Sequence, residues 1–343
     1  MQRSSNEGMK MKNWKIILAW VVPILIAVAS LGIGRFEVDF GTVTKILLSN
    51  VFPIEQTWTQ MEENVVMQIR LPRVLLAFLI GGGLSISGAS FQGMFANPLV
   101  SADILGVAAG AGFGASLGIL LFGNSFAAQI LALLFGLLAI VFTYAIGGVG
   151  KNLPVFMLVL AGVVTSALFQ ALISLTKFVA DPEEKLPAIT YWLMGSLGTA
   201  TYKDLYVAGP LILIGVFILL AVRWRINLLT LPEDEAKSLG IATTRLKWLV
   251  IFGATLVTAA SVAIAGIVGW VGLIIPHIAR MIVGNNNEKV LPMSIALGGA
   301  YLMFIDNIAR TLTAAEIPLS ILTAIVGAPF FAYLLRRTGG GWS

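Results

Sequence analysis

The segment RLPRVLLAFLIGGGLSISGASFQGMFANPL, residues 70–99, combines three features that indicate how the chain is built. Two arginines, Arg70 and Arg73, stand at the start of a long apolar run. Glycine and serine then dilute the run, and Asn97-Pro98-Leu99 ends it. An apolar stretch of about 20 residues crosses a bilayer as a helix. The segment therefore predicts a transmembrane helix with fixed charge at one mouth and small residues that allow close helix packing.

The composition extends this prediction to the whole chain. Of its 343 residues, 58% are hydrophobic and 11% are charged, and the mean hydropathy is +0.92. Soluble domains are about 45–50% apolar and about 25% charged. We therefore expect one transmembrane domain over residues 1–343, in which 50–69 and 178–205 are the longest polar loops.

Several classes of function are disfavoured by what the sequence contains. Cysteine is absent and His277 is the one histidine, so we expect no disulfide, no metal site and no cofactor. His277 follows Pro276 and is interpreted as a structural residue. The net charge of +5 is spread between apolar segments, which favours membrane topology over nucleic-acid binding.

Cutting the sequence at charged and Pro/Gly-rich breaks predicts about ten spans. The first is a membrane helix, since no A-x-A-type cleavage site follows it cleanly. The eighth is short, and a re-entrant segment is an alternative. The candidates are 15–34, 72–95, 102–122, 126–147, 154–177, 205–223, 246–268, 271–284, 290–309 and 318–335.

The basic residues orient these spans. With the N-terminus inside, fourteen Lys and Arg residues fall on inner segments and eight on outer segments. Inner loops of membrane proteins are enriched in Lys and Arg. We therefore expect both termini in the cytoplasm, with 1–14 as a cytoplasmic tail. Arg70 and Arg73 would then lie outside and Asn97-Pro98-Leu99 inside.

Small and polar residues predict how the helices pack. Glycines recur every four residues at Gly106, Gly110, Gly114 and Gly118, which predicts a groove along one helix, and Gly81, Ser85 and Gly88 do the same for the preceding span. Close packing is the simpler interpretation, and sliding of helices during transport is the alternative. Neutral polar residues such as Gln92 are interpreted as interhelical hydrogen-bonding groups.

Ionisable residues inside the bilayer are costly and are therefore informative. Asp103, Asp306, Arg310 and Glu316 all lie near predicted span ends, where they can pair or reach the interface. No carboxylate falls at a predicted bilayer centre, which counts against an ion-coupled carrier.

The loop RWRINLLTLPEDEAKSLGIATTRLKW, 223–248, predicts a short helix on the inner face. Pro232 begins it, the acidic trio Glu233-Asp234-Glu235 suits the positive end of the helix dipole, and Gly240 ends it. Such a helix fits docking of a soluble partner, and an ordinary amphipathic loop is the alternative. No G-x-x-x-x-G-K-[ST] pattern occurs, and no catalytic triad or carboxylate pair suggests an enzyme.

Motifs from residue 70 to the C-terminus resemble those of FecCD/BtuC-type permeases, the membrane subunits of ATP-binding-cassette importers for ferric siderophores, haem or vitamin B12. The matching stretches are RLPR at 70–73, SGASFQGMFANPL at 87–99, LG at 105–106, YWLMGS at 191–196, EDEAKSLG at 233–240, VGLIIPHIAR at 271–280, and DNIARTLTAAEIPLSILTAIVGAPFFAYLL at 306–335.

The resemblance implies an all-α, BtuC-like (type II) bundle of about ten helices in the bacterial inner membrane. It implies a second permease subunit, identical or paralogous, a cytoplasmic ATPase dimer, and an extracytoplasmic substrate-binding protein. The chain itself would be non-catalytic. The favoured cargo is a ferric siderophore, because siderophores are the commonest cargo of the family.

The resemblance also assigns roles to residues. Arg70, Arg73 and Arg310 would form an outer rim that faces glutamates of the binding protein. The segment 228–246 would seat in the ATPase as coupling helices. Its central residues are Pro232, Glu233, Asp234, Glu235, Ala236, Ser238, Leu239 and Gly240. The cytoplasmic gate would comprise Asn97, Pro98, Leu99, Gly150, Lys151 and Asn152.

Two other classes stay open on the residues alone. One is a self-sufficient, ion-coupled secondary carrier, and the other is an integral membrane enzyme. Uptake by this chain alone under an ion gradient would favour the first of these, whereas copurification of an ATPase would favour the importer subunit.

Overall fold

A computed structural model describes residues 18–147, 155–231, 233–238, 240 and 242–338, and every regular element in these ranges is helical. A π-helical turn, Val65–Arg70, precedes α4, and a 3-10 turn, Asn227–Thr230, follows α9. The helices are α1 Leu18–Gly32, α2 Phe40–Ser49, α3 Gln60–Asn64, α4 Leu71–Met94, α5 Val107–Phe122, α6 Ser125–Gly147, α7 Val155–Val179, α8 Lys185–Leu193, α9 Tyr202–Ile226, α10 Glu233–Ser238, α11 Thr243–Ala265, α12 Val271–Val283, α13 Asn287–Thr311 and α14 Leu319–Thr338.

Each of the ten predicted spans coincides with a helix. Within the described residues, six helices are long and apolar enough to cross a membrane: those containing α4, α6, α7, α9, α11 and α13. The apolar helices α1, α5, α12 and α14 are shorter, so length alone does not confirm the count of ten. The helices α2, α3 and α8 lie outside the predicted spans.

Helix α4 lies at the centre of the bundle. It packs against α9, α11, α12 and α13, and nearly all of its side chains are buried. A Cβ on Gly88 would overlap the carbonyl oxygen of Gly272 in α12, and one on Gly81 would overlap that of Gly298 in α13. The small residues of α4 therefore allow direct contact between backbones, which confirms the packing prediction.

The glycine groove of α5 is also present, but it is shorter than predicted. A Cβ on Gly110, Gly114 or Gly118 would overlap or crowd the backbone of α6. Gly106 precedes the helix instead, with a φ of 80° that favours glycine, and it lies against Ser166 of α7. Three of the four glycines thus hold α5 and α6 together, and the fourth forms a turn.

The two ends of the bundle carry different groups. We call the end where α4 begins the arginine end, and the opposite end the Asn97 end. Tyr202 at the start of α9 donates a hydrogen bond of 2.6 Å to the Met67 carbonyl at the arginine end. At the Asn97 end, Gly93 of α4 lies against Ile226 of α9 and Asn287 of α13, and Asn227 donates to Asn286 over 2.9 Å. The Asn97 turn and the described part of the coupling segment therefore share one end.

Candidate functional sites at the two ends of the bundle

At the arginine end, Arg70 is 3% exposed and holds the end of α1 and the segment that follows it. Its Nη1 donates to the carbonyls of Leu31 and Gly32 at 2.6 and 2.9 Å, and its Nη2 donates to the Phe36 carbonyl. The Arg70 guanidinium is thus committed to backbone acceptors of its own chain.

Arg73 is 5% exposed and joins two carboxylates. Its Nε and Nη2 lie 2.9 and 2.8 Å from the two oxygens of Asp306. Its Nη1 and Nη2 lie 2.8 and 3.0 Å from those of Glu316. Bidentate pairing of this kind is strong and directional. Arg73 therefore ties α4 both to α13 and to the loop before α14.

Arg310 completes this cluster at 6% exposed. Its Nη2 donates to the Ser30 carbonyl over 2.5 Å and to the Asn307 amide oxygen. Its Nε lies 3.9 Å from Asp306. Asp306 thus sits between two buried arginines.

The three arginines of the expected outer rim are all buried in this structure. Each of them is hydrogen-bonded to long-range partners within the chain, because a buried charge without partners is costly. Their role in docking a binding protein stays a prediction. Residues exposed beside the cluster include Arg35, whose Nη2 donates to the Thr313 carbonyl at 3.1 Å.

Glu316 is the solvent-facing member of the cluster, with its side chain 25% exposed. Burial raises the pKa of Glu316, but hydrogen bonding to Arg73 and the nearby arginine charges outweigh burial, so the pKa lies below its usual value. Glu316 therefore stays ionised at neutral pH.

At the Asn97 end, the predicted gate loop turns sharply. Leu99 N donates to Asn97 Oδ1 over 2.9 Å, which is an Asx turn. Ala96 has a φ of 47°, which disfavours a residue with a side chain. Asn97 and Leu99 are exposed and Pro98 is half-buried. The other predicted gate residues, Gly150, Lys151 and Asn152, lie outside the described residues.

The predicted coupling helix is present as α10. It packs on α11 and on the 3-10 turn through Ala236, which is 1% exposed, while Glu235 and Ser238 face outward. Gly240 has a φ of 78°, as expected for the residue that ends the helix. Glu233 and Asp234 form its first turn, and Pro232 and Leu239 lie outside the described residues. The role of α10 in coupling stays a prediction.

The sequence interpretation missed one group at this end. Gln92 is 2% exposed, and its Nε2 donates to the carbonyls of Val100 and Leu273 at 3.1 and 3.2 Å. Its Oε1 accepts from Nη1 of Arg280 in α12. Gln92 was expected to join helices, and it does, but Arg280 was not singled out because its position in α12 reveals no partner.

The fold is a multi-pass bundle of apolar helices, the class of integral membrane proteins, with the short helix α10 and a tight turn at one end. The chain matches the FecCD transport family over residues 21–337. It belongs to this family and is the permease subunit of an ABC importer.

Relatives and solved structures agree with the family. The molybdate import system permease of Haemophilus influenzae is 44% identical, over 92% of this chain and 94% of that protein. A probable iron chelatin permease of Helicobacter pylori is 41% identical, over 80% and 83%. A solved inward-facing chain described as a metal-chelate type ABC transporter has a TM-score of 0.84 and 41% identity, over 94% and 98%.

Proposed function

We propose that this chain is the translocation subunit of an importer for a metal in anionic form, with the arginine end outside the cell and the Asn97 end in the cytoplasm. A binding protein would deliver the cargo to the arginine end, and two ATPases would drive transport from the Asn97 end. The observation that carries this proposal is α10, a six-residue helix outside the predicted spans that is anchored on the bundle through Ala236 and leaves Glu235 and Ser238 exposed.

Helix α10 has the build of a docking element. Ala236 anchors it on the bundle, while Glu235 and Ser238 remain available to a partner. A helix held in place before binding loses little entropy when it binds. We therefore assign the segment 228–246 to ATPase docking, and the neighbouring Asn97 turn to a gate that moves with it.

Affinity purification from native membranes tests the docking assignment. The wild-type chain is expected to retain an ATPase, and Glu235→Lys is expected to retain several-fold less, because it reverses an exposed charge on α10. Glu288→Lys is the matched control, since it reverses an exposed charge at the same end outside 228–246. Equal retention by both variants would contradict the assignment.

The outward face of α7 supports a second permease subunit. Gln170 and Ser174 lie in the second half of this span and are exposed. A polar amide that faces lipid is unfavourable. We therefore infer that another permease copy, or the water-filled pathway between two copies, covers this face.

For the binding protein, we propose that docking uses the exposed surface above the arginine cluster. Arg73 and Arg310 would act from below, by fixing the ends of α4 and α13 and the loop that carries Glu316. Exposed rim charges such as Arg35 would steer the partner.

Two cargoes have specific support. Molybdate is favoured by the 44% identity with a molybdate permease over nearly the full length of both chains. A ferric chelate, including the ferric siderophore expected from the sequence, is favoured by the iron chelatin relative and the metal-chelate transporter structure. Competition between labelled molybdate and ferric siderophore for uptake by cells that carry the intact transporter separates the two.

A further inference from the structure

Arg280 has no anionic partner among the described residues, and it differs from Arg70, whose guanidinium is occupied by three backbone carbonyls. Arg73 contacts two carboxylates, and Arg310 lies near one. In the described part of the chain, the hydrogen-bond acceptor of Arg280 is the neutral Oε1 of Gln92. A guanidinium has five N–H donors, so most of those of Arg280 are left for water or a ligand.

The charge of Arg280 makes a lipid-chain environment unfavourable. Arg280 is partly buried near the C-terminal end of α12, on the face that also carries His277, three residues earlier. An unpaired charge in hydrocarbon is unfavourable by several kcal/mol. This face of α12 must therefore contact water or an anion.

Gln92 holds Arg280 beside the gate. Its amide nitrogen is fixed by the carbonyl of Val100, in the loop that follows Asn97-Pro98-Leu99, and by that of Leu273 in α12. This leaves its oxygen directed at Arg280. The gate loop, α4 and α12 thus meet at one amide, and movement of the loop would shift the guanidinium.

We propose that Arg280 forms a binding site for the oxygen atoms of the anionic cargo beside the gate, with Gln92 as its positioning residue. The inference rests on the proposed function and specifies it further, since it places a cargo contact at the cytoplasmic half of the route. An oxyanion such as molybdate, or the carboxylate oxygens of a ferric chelate, suits a guanidinium fork. The phosphate of an anionic lipid shares this chemistry and is separated by experiment.

The experiment uses the permease–ATPase complex in nanodiscs of phosphatidylcholine, with labelled molybdate and labelled ferric citrate as probes in equilibrium dialysis. Arg280→Gln is expected to weaken binding of the transported anion about tenfold or more, since a charged hydrogen bond is lost. Arg280→Lys should recover part of that loss. Arg225→Gln removes an exposed arginine from the same end and should leave binding unchanged.

A second measurement distinguishes a binding role of Arg280 from a merely structural one. ATP hydrolysis and complex yield report folding, so unchanged values with weakened binding support the site. If wild type and Arg280→Gln bind the transported anion equally, or if neither probe binds, the site is wrong.

Two further measurements distinguish a lipid ligand from the cargo and test the proposed function separately. If phosphatidylglycerol added to the nanodiscs is retained by wild type and released by Arg280→Gln, while anion binding is unaffected, the site belongs to lipid and the cargo proposal is overturned. Failure of the proposed function looks different: reconstituted wild-type transporter, with its binding protein and ATP, would take up neither anion.

Discussion

The arginine cluster gives the sharpest prediction about stability, because its two carboxylates differ in burial. Asp306 has a side chain 2% exposed, between Arg73 at 2.8 Å and Arg310 at 3.9 Å. Asp306→Asn keeps the shape but leaves two buried arginines without that charge. Removing one partner of a buried ion pair costs about 3–5 kcal/mol, and we expect a loss in this range.

Glu316→Gln should be much milder. The Glu316 side chain is 25% exposed, so water screens the lost charge, and Asp306 still holds Arg73. We expect a loss of about 1 kcal/mol after this screening. The predicted order, Asp306→Asn well above Glu316→Gln, follows from burial, since both carboxylates lie 2.8 Å from Arg73.

The assay is reversible unfolding of the purified chain in mixed micelles, with increasing dodecyl sulfate and helicity followed by circular dichroism. Glu55→Gln, which removes an exposed carboxylate at the same end, should leave the transition unchanged. The reasoning is refuted if Asp306→Asn unfolds at the same dodecyl sulfate fraction as Glu55→Gln, or if Glu316→Gln lowers the free energy of unfolding more than Asp306→Asn does.

Three further predictions use the same assay. Gly88→Ala should destabilise the chain by about 1–3 kcal/mol, because its Cβ meets the Gly272 carbonyl, whereas Gly269→Ala, with no atom within 4 Å of its Cβ, should have little effect; equal effects would contradict the packing. Ala96→Gly should raise the free energy of unfolding by up to about 1 kcal/mol, since Ala96 has a φ of 47°, and a loss would contradict this. The pKa of Glu316 is lowered in the folded state, so its contribution to the free energy of unfolding is complete above the unfolded pKa of about 4.3 and declines as pH falls through the folded pKa. The free energies of unfolding of wild type and Glu316→Gln should therefore differ at pH 7 and converge in acid. A difference that stays constant with pH would exclude this linkage.

The spans were predictable from the sequence because a helix that crosses a membrane needs a run of about 20 apolar residues. The helices α2, α3 and α8 were not, since they are short, with 10, 5 and 9 residues. Helix α3 nevertheless carries a local signal: Thr59 and Glu62 form a capping box, and the spacing of these two residues in the sequence is typical of a helix start.

The arginine cluster was predictable only in part. Asp306, Arg310 and Glu316 were expected either to pair or to reach the interface near span ends, and the structure pairs Asp306 and Glu316 with Arg73 and places Arg310 3.9 Å from Asp306. The partner of Arg73 was hidden, because Asp306 lies 233 residues further along the chain. The family resemblance suggested an outer docking rim, whereas the packing of α4 against α13 buries Arg73 and Arg310.

At the Asn97 end, the helix α10 was predictable, whereas the contact between Gln92 and Arg280 was not. Pro232, the acidic residues and Gly240 predicted α10 from capping chemistry, which is local. The contact between Gln92 and Arg280 spans 188 residues and depends on how α4 and α12 cross. A glutamine in one helix and an arginine in another carry no sequence signal that they meet.

The central claim is that this chain transports only with a binding protein and ATPases. Its most direct test is uptake into proteoliposomes, with the chain reconstituted either alone or with the ATPase and binding protein that copurify with it. We predict uptake of the anionic metal cargo only in the complete system and only with ATP. Uptake by the chain alone, driven by a proton or sodium gradient, would contradict the account.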